Sequence, residues 1–172
     1  RGIEADLTAM GKIIGGGFPI GAVAGHKKVM DMFSASSGRA KVPHGGTFNA
    51  NPVSMVAGMK AMEMLNKSNF KKLNLIGEKF REGINEVCEL ANIEGYAEGQ
   101  FSVFGIKVFD KKLTDNTERG ITYKSKGLHR YMLEHGYWLT PGLTGVCSTV
   151  MDQSDIDPFC ETLLSGIKDL LG

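Results

Sequence analysis

The chain has 172 residues, of which 42% are hydrophobic, and its 20 basic and 19 acidic residues leave a formal net charge of +1. This length and apolar content allow a folded core and argue against intrinsic disorder. The charges are well mixed, so no basic surface for nucleic acid or membranes is indicated. No apolar run approaches the roughly 18 residues of a membrane-spanning helix, and the first ten residues lack the apolar core of a signal peptide.

The three cysteines, Cys88, Cys147 and Cys160, lie far apart and form no C-x-x-C motif. Neither a disulfide framework nor a zinc site is therefore indicated, and the four histidines show no metal-ligand spacing. We expect buried free thiols in a reducing compartment, which favours a cytoplasmic protein.

Two short strands are expected at residues 7–10 and 22–24, and Lys12 follows the first of them in the segment GKIIGGGFPIGAVAGHKK. A glycine run lets the backbone approach a ligand closely. A desolvated lysine there could act as a nucleophile or form a Schiff base, although most lysines at strand ends are solvated. The segment matches neither the P-loop nor the dinucleotide-binding motif, so a nucleotide site is not indicated.

A second glycine-containing segment, HGGTFNANP, begins at His44. The amides of Gly45 and Gly46 and the hydroxyl of Thr47 could bind an anion such as phosphate just before a helix. The alternative is an ordinary glycine turn in which Thr47 and Asn49 bond to nearby backbone. Asn51 is expected to cap the helix, with Pro52 at its first position.

Two helices are expected before residue 93. The first has Met, Val and Ala side chains all round, which predicts burial on nearly every face. The second carries apolar residues at spacings of three and four, which predicts an amphipathic helix: Phe70, Leu73, Ile76, Phe80, Ile84, Val87 and Ala91.

From about residue 95 the pattern is that of a small α+β unit. A strand is expected at 100–109, a polar loop at 110–120 and a helix at 121–136 that Gly136 closes. Short strands are expected at 137–141 and 146–150. The last helix should begin near Ser154, Asp155 and Asp157 and bury one apolar stripe. The earlier part, with two strands only, leaves edges and apolar faces that something else must cover.

The Lys12 segment, followed by GGTFNANPVSMVAGMKAM, resembles class III pyridoxal-phosphate-dependent aminotransferases, and within them the group of glutamate-1-semialdehyde aminomutase. The resemblance covers essentially the whole chain. It implies that Lys12 forms the Schiff base with pyridoxal phosphate and acts in proton transfer. It also implies that Gly46 and Thr47 bind the phosphate of the cofactor held by the other subunit of a homodimer.

The resemblance further implies an α/β fold, the C-terminal part of a fold type I enzyme. Residues 1–93 would belong to the large cofactor-binding domain with its connecting helices, and residues 94–172 would form the small C-terminal α+β domain. The family's phosphate loop, ring-stacking aromatic residue and pyridinium-binding aspartate precede the lysine, and none of them matches a residue here. Asp6 matches a position that is structural in the family.

The resemblance leaves the substrate open. Phe48-Asn49-Ala50 stands where the aminomutase has Leu-Ser-Gly, and residues 141–148 carry no acidic side chain where the aminomutase has one. These departures favour a transaminase that acts on an amino acid or amino ketone, with the aminomutase as the alternative. A non-catalytic fragment or binding module is the alternative of another class. A lysine-based aldolase would need a complete barrel, for which the expected strands are too few.

Overall fold

A computed structural model describes residues 2, 4–36, 38–109 and 123–171, so the polar loop expected at 110–120 lies outside the described residues. Within them the chain forms two compact units, residues 1–66 and 67–172. No helix among the described residues has the length and apolar character needed to cross a membrane. The elements in chain order are the strands and helices β1 (Leu7–Gly11), β2 (Gly21–Gly25), α1 (Lys27–Met30), α2 (Pro52–Met64), α3 (Lys67–Leu90), β3 (Gly95–Glu98), β4 (Val103–Val108), α4 (Tyr123–Glu134), β5 (Thr144–Val146) and α5 (Ile156–Leu171).

The first unit is built on the antiparallel hairpin of β1 and β2. Leu7 pairs with Gly25 and Gly11 with Gly21, which confirms both expected strands. The loop between them opens with a 3₁₀ helix, Lys12–Gly15, which packs against α2. Lys12 therefore directly follows Gly11, the last residue of β1 that pairs with β2.

The start of α2 agrees with the expected cap. The Asn51 side chain accepts hydrogen bonds from the amides of Val53 at 3.1 Å and Ser54 at 3.2 Å, and Pro52 is the first helical residue. The expected burial on nearly every face is wrong for the described residues. Only Ser54 and Gly58 are buried, and the exposed apolar side chains include Val53, Met55, Val56, Met59, Met62 and Met64. Small residues form the face of α2 that packs, so no large side chain of this helix is buried.

The second unit has a closed core between α3, α5 and the antiparallel sheet β3-β4-β5. The rings of Phe80 and Phe104 stack with centroids 4.7 Å apart, and Phe159 meets both edge-on. The expected amphipathic helix is confirmed in α3, with Leu73, Ile76, Phe80, Ile84 and Val87 buried, whereas Phe70 is half exposed. The apolar stripe of α5 is buried at Ile156, Phe159, Leu163 and Ile167.

Several sequence expectations for this unit need correction. The strand expected at 100–109 is shorter, β4, because residues 99–102 turn the chain back from β3, with Phe101 at φ 56°. The segment 137–141 is not a strand. The Tyr137 amide closes α4 by donating to the Met132 carbonyl at 2.9 Å, and Thr140 and Leu143 bond within a turn. Of the strand expected at 146–150, only Val146 belongs to β5.

The last helix begins at Ile156, as expected from Ser154, Asp155 and Asp157, and a capped 3₁₀ turn, Gln153–Asp155, precedes it. Asp152 accepts from the Ser154 amide and Asp155 accepts from the Asp152 amide, both at 2.8 Å, so the capping box starts two residues before Ser154. Burial raises the pKa of the thiols of Cys88 and Cys147, as expected for enclosed free cysteines. Cys160 is only partly buried, and burial next to Asp157 raises its pKa to about 11.

The boundary between the compact units differs from the expected domain boundary at 93/94. It falls after Asn66, because α3 packs on β3, β4 and α5. The assignment of residues 1–93 to a large cofactor-binding domain stays a prediction.

Candidate cofactor site

Lys12 lies at the end of the hairpin, in an unusual backbone conformation. Its φ of 56° is left-handed, a region that non-glycine residues rarely adopt, and such residues cluster at functional sites. Its side chain is exposed within the described residues. The amine that the sequence identifies as a candidate nucleophile is therefore accessible, and the enclosed environment that the sequence suggested for it is not formed by this unit.

The loop after Lys12 is held by its own hydrogen bonds. The Gly16 amide donates to the Ile13 carbonyl at 3.1 Å, and the Phe18 amide donates to the Gly15 carbonyl at 3.0 Å. Gly16 itself is left-handed, with φ 57°, and caps the 3₁₀ helix. The glycine run thus builds a compact turn, and the left-handed backbone at Gly16 favours glycine.

Gly46 and Thr47 lie in an exposed turn that leads into α2. The Asn49 amide donates to the Gly46 carbonyl at 3.0 Å and the Asn51 amide to the Phe48 carbonyl at 3.1 Å. Within the described part of the chain, no hydrogen bond is formed by the amides of Gly46 and Thr47 or by the Thr47 hydroxyl. The local side-chain bond considered for Thr47 is absent there, and three donors remain available to an anion.

A cavity of about 490 Å³ lies between the hairpin and the turn that precedes α2. Its lining includes Ile20, His44, Phe48 and Met55. His44 also meets the Phe33 ring edge-on, at 5.8 Å between ring centroids. Neither Lys12 nor Thr47 lines this cavity or the apolar one beside α2. Neither of these two cavities therefore brings Lys12 and Thr47 together.

These residues fit part of a pyridoxal phosphate site. An exposed primary amine can reach an aldehyde, and open backbone and hydroxyl donors suit a phosphate. That these two halves serve different copies of the cofactor stays a prediction. Sequence reasoning missed one feature of the site, which is the backbone contact between the Lys12 loop and α2. The signal for it was Gly58, a glycine in the middle of a predicted helix.

Comparison with known proteins identifies the family of the chain. The sequence model of the family described as aminotransferase class-III matches residues 1–141, so the chain belongs to the class III aminotransferase family. A glutamate-1-semialdehyde 2,1-aminomutase from Methanothrix thermoacetophila is 36% identical over 171 residues. An omega-transaminase from Sphaerobacter thermophilus has 39% identity and superposes with a TM-score of 0.91, and a transaminase with pyridoxal phosphate bound has 30% identity and a TM-score of 0.88.

The fold is therefore that of the matching part of pyridoxal-phosphate-dependent transaminases. The chain is covered almost completely in these comparisons, to 96% by the aminomutase and 99% by each of the two transaminases. It spans 39% of the aminomutase and 40% and 39% of the two transaminase chains.

Proposed function

We propose that the chain is part of an enzyme that transfers amino groups with pyridoxal phosphate. The single observation that carries this proposal is the exposed Lys12 amine at the end of the β1–β2 hairpin, in a chain of the class III family. Bound pyridoxal phosphate supplies the electron sink that amino-group transfer requires. Lys12 would hold the cofactor through Nζ, and the same amine would serve as the acid and base that moves the proton during amino-group transfer.

Gly46 and Thr47 hold the phosphate in this proposal. Two backbone amides and one hydroxyl offer charge-assisted hydrogen bonds to the anion, and the start of α2 places a helix N-terminus nearby. We assign these donors to the cofactor of the neighbouring subunit in a homodimer. Each cofactor would then depend on Lys12 of one copy and Thr47 of the other.

Two reactions compete for this site. The segment 141–148 lacks an acidic side chain, which favours a transaminase that exchanges an amino group between an amino acid or amino ketone and a keto acid. The aminomutase is the second candidate, because the similar Methanothrix thermoacetophila protein carries that name. A mutase moves the amino group within one molecule and needs no separate acceptor, whereas a transaminase needs one.

A donor and acceptor assay of the assembled enzyme, purified with its cofactor, tests the proposal. We expect turnover of an amino donor only when a keto acid is present. Conversion of glutamate 1-semialdehyde without any acceptor would instead identify the mutase. A cofactor-loaded enzyme that converts neither class of substrate would contradict amino-group transfer and favour a non-catalytic role.

A further inference from the structure

The buried face of α2 consists of small residues, and it packs against the turn that carries Lys12. Ser54 and Gly58 are buried, and Ala57 and Ala61 are partly buried. A Cβ atom added at Gly58 would collide with the carbonyl oxygen of Ile14 and lie 3.5 Å from the Gly15 Cα. The backbone of the helix therefore touches the backbone of the 3₁₀ helix Lys12–Gly15, which we name the Lys12 turn.

The contact is reciprocal. A Cβ atom added at Gly16 would collide with the carbonyl oxygen of Ala57. Each element thus places a glycine opposite a carbonyl group of the other. Neither collision could be relieved by rotating a side chain, because both obstacles are backbone atoms. A methyl group at either glycine would force the turn and the helix apart.

The Lys12 turn transmits such a shift directly to Lys12. Only Ile13 separates Lys12 from Ile14, whose carbonyl rests on Gly58. On the other side, Gly11 is fixed in the hairpin by pairing with Gly21. The left-handed φ of Lys12 lies between these two anchors and persists only while both hold the chain.

We propose that Gly16 and Gly58 are positioning residues for the Lys12 amine. This inference rests on the proposed function, since it assumes that Lys12 attaches the cofactor. The two glycines touch neither cofactor nor substrate in this account. They set the position and direction of the backbone from which the lysine side chain extends.

The test compares Gly58→Ala with Gly77→Ala in the enzyme purified with its cofactor. Gly77 is a matched control, because a Cβ added at this buried helical glycine would collide with the carbonyl oxygen of Phe101, in the other unit. Both variants are expected to lower the melting temperature. Misplacing a reacting group by about 1 Å can cost roughly 10²-fold in rate, so only Gly58→Ala should slow adduct formation between Lys12 and added pyridoxal phosphate about 10²-fold.

Two readouts separate positioning from general loss of stability. The first is the rate at which borohydride-reduced adduct accumulates on Lys12, followed by peptide mapping after removal and re-addition of the cofactor. The second is the induced circular dichroism of the bound cofactor, which depends on its orientation. Gly58→Ala should change both, and Gly77→Ala should leave the rate within about threefold and the dichroic band unchanged.

The outcomes are distinct. Equal effects of Gly58→Ala and Gly77→Ala, or a folded Gly58→Ala variant with the wild-type rate and band, would overturn the positioning role. A wild-type enzyme with no adduct on Lys12 would overturn the proposed function and this inference with it. If Gly58→Ala does not fold, Gly16→Ala tests the same contact from the loop side. Gly99→Ala is then the matched control, because Gly99 of the second unit also has a positive φ and an added Cβ there would collide with the carbonyl oxygen of Val103.

Discussion

The two units of the chain differ in where their apolar side chains lie. Every buried apolar side chain among the described residues belongs to the second unit, from Leu73 to Ile167. Among the described residues of the first unit, Ser54 is the only buried side chain with a polar group. Large apolar residues there, such as Ile13, Phe48 and Val56, are exposed by 60% or more. The second unit is stabilised by a core of its own, whereas the first is held by a hairpin ladder, a helix cap and glycine contacts.

This difference coincides with the location of the candidate cofactor-binding residues. The residues proposed to bind the cofactor, Lys12, Gly46 and Thr47, all belong to the first unit, whose described residues bury no apolar side chain. Uncovered apolar surface of this extent marks a surface that packs against other protein. We therefore expect the first unit to need further protein around it to complete a site, whereas the second unit buries a core of its own.

The largest expected effect is on catalysis by the 172-residue chain alone. Given only pyridoxal phosphate, amino donors and a keto acid, it should turn over several powers of ten more slowly than an ordinary enzyme. None of its residues matches the family's ring-stacking aromatic residue or pyridinium-binding aspartate, and catalysis depends on such preorganised contacts. The measurement is keto-acid-dependent product formation by the purified chain. Turnover near 1–10³ per second, the usual range of enzymes, would show that the first unit needs no further protein around it to form a working site.

The next largest effect concerns the core of the second unit. Phe159 is 2% exposed and contacts the rings of Phe80, Phe104 and Tyr137. Phe159→Ala should lower the free energy of unfolding by about 3–5 kcal/mol. The measurement is urea unfolding followed by circular dichroism. Val56→Ala is the matched control in the first unit, because the Val56 side chain is 68% exposed. It should change the free energy of unfolding by less than about 0.5 kcal/mol. Similar losses in both variants would contradict the comparison.

A smaller effect is expected at the phosphate donors of the first unit. Thr47→Ala should weaken retention of pyridoxal phosphate by about 1–3 kcal/mol, the cost of one hydrogen bond to a charged group. Equilibrium dialysis of the assembled enzyme measures it. Thr162→Ala removes a hydroxyl that donates to the Pro158 carbonyl in the second unit and should leave cofactor affinity unchanged. Unchanged affinity in Thr47→Ala would exclude this residue from the phosphate site.

The smallest effect is a pH dependence of the cap of α5. Hydrogen bonds from the Ser154 hydroxyl and amide hold the pKa of Asp152 below its ordinary value. Its contribution to stability is therefore complete above the unfolded-state pKa of about 3.9 and is lost as pH falls through the lower folded-state pKa. Asp152→Asn keeps the cap but does not titrate. The difference in free energy of unfolding between the wild-type protein and Asp152→Asn should shrink as pH falls from about 4. A difference that does not change with pH would contradict this explanation.

The sequence predicts best what depends on local chemistry. The Asn51 cap, the β1–β2 strands and the α3 stripe follow from neighbouring residues, and all three are confirmed. It predicts least well what depends on distant packing. The apolar residues around α2 predict burial on nearly every face. In the structure, however, only small residues of α2 are buried. The segment 137–141 has a strand-like composition, but its amides bond to α4 and to a turn.

The same distinction applies to the candidate site. Lys12 stands out in the sequence because the glycine run follows it, and Thr47 because two glycines and a helix start adjoin it. The contact of Gly58 with Ile14 could not be predicted, because it joins residues 44 positions apart through backbone atoms alone. Glycine at a buried helical position indicates close packing without identifying the partner.

The most direct test of the central claim is to identify the lysine that carries the cofactor. The enzyme purified with pyridoxal phosphate is reduced with borohydride, digested and mapped by mass spectrometry. We expect the pyridoxyl group on Lys12, and a Lys12→Ala variant that retains its fold and loses the adduct. A pyridoxyl group found reproducibly on another lysine, such as Lys27 or Lys28, would contradict the account.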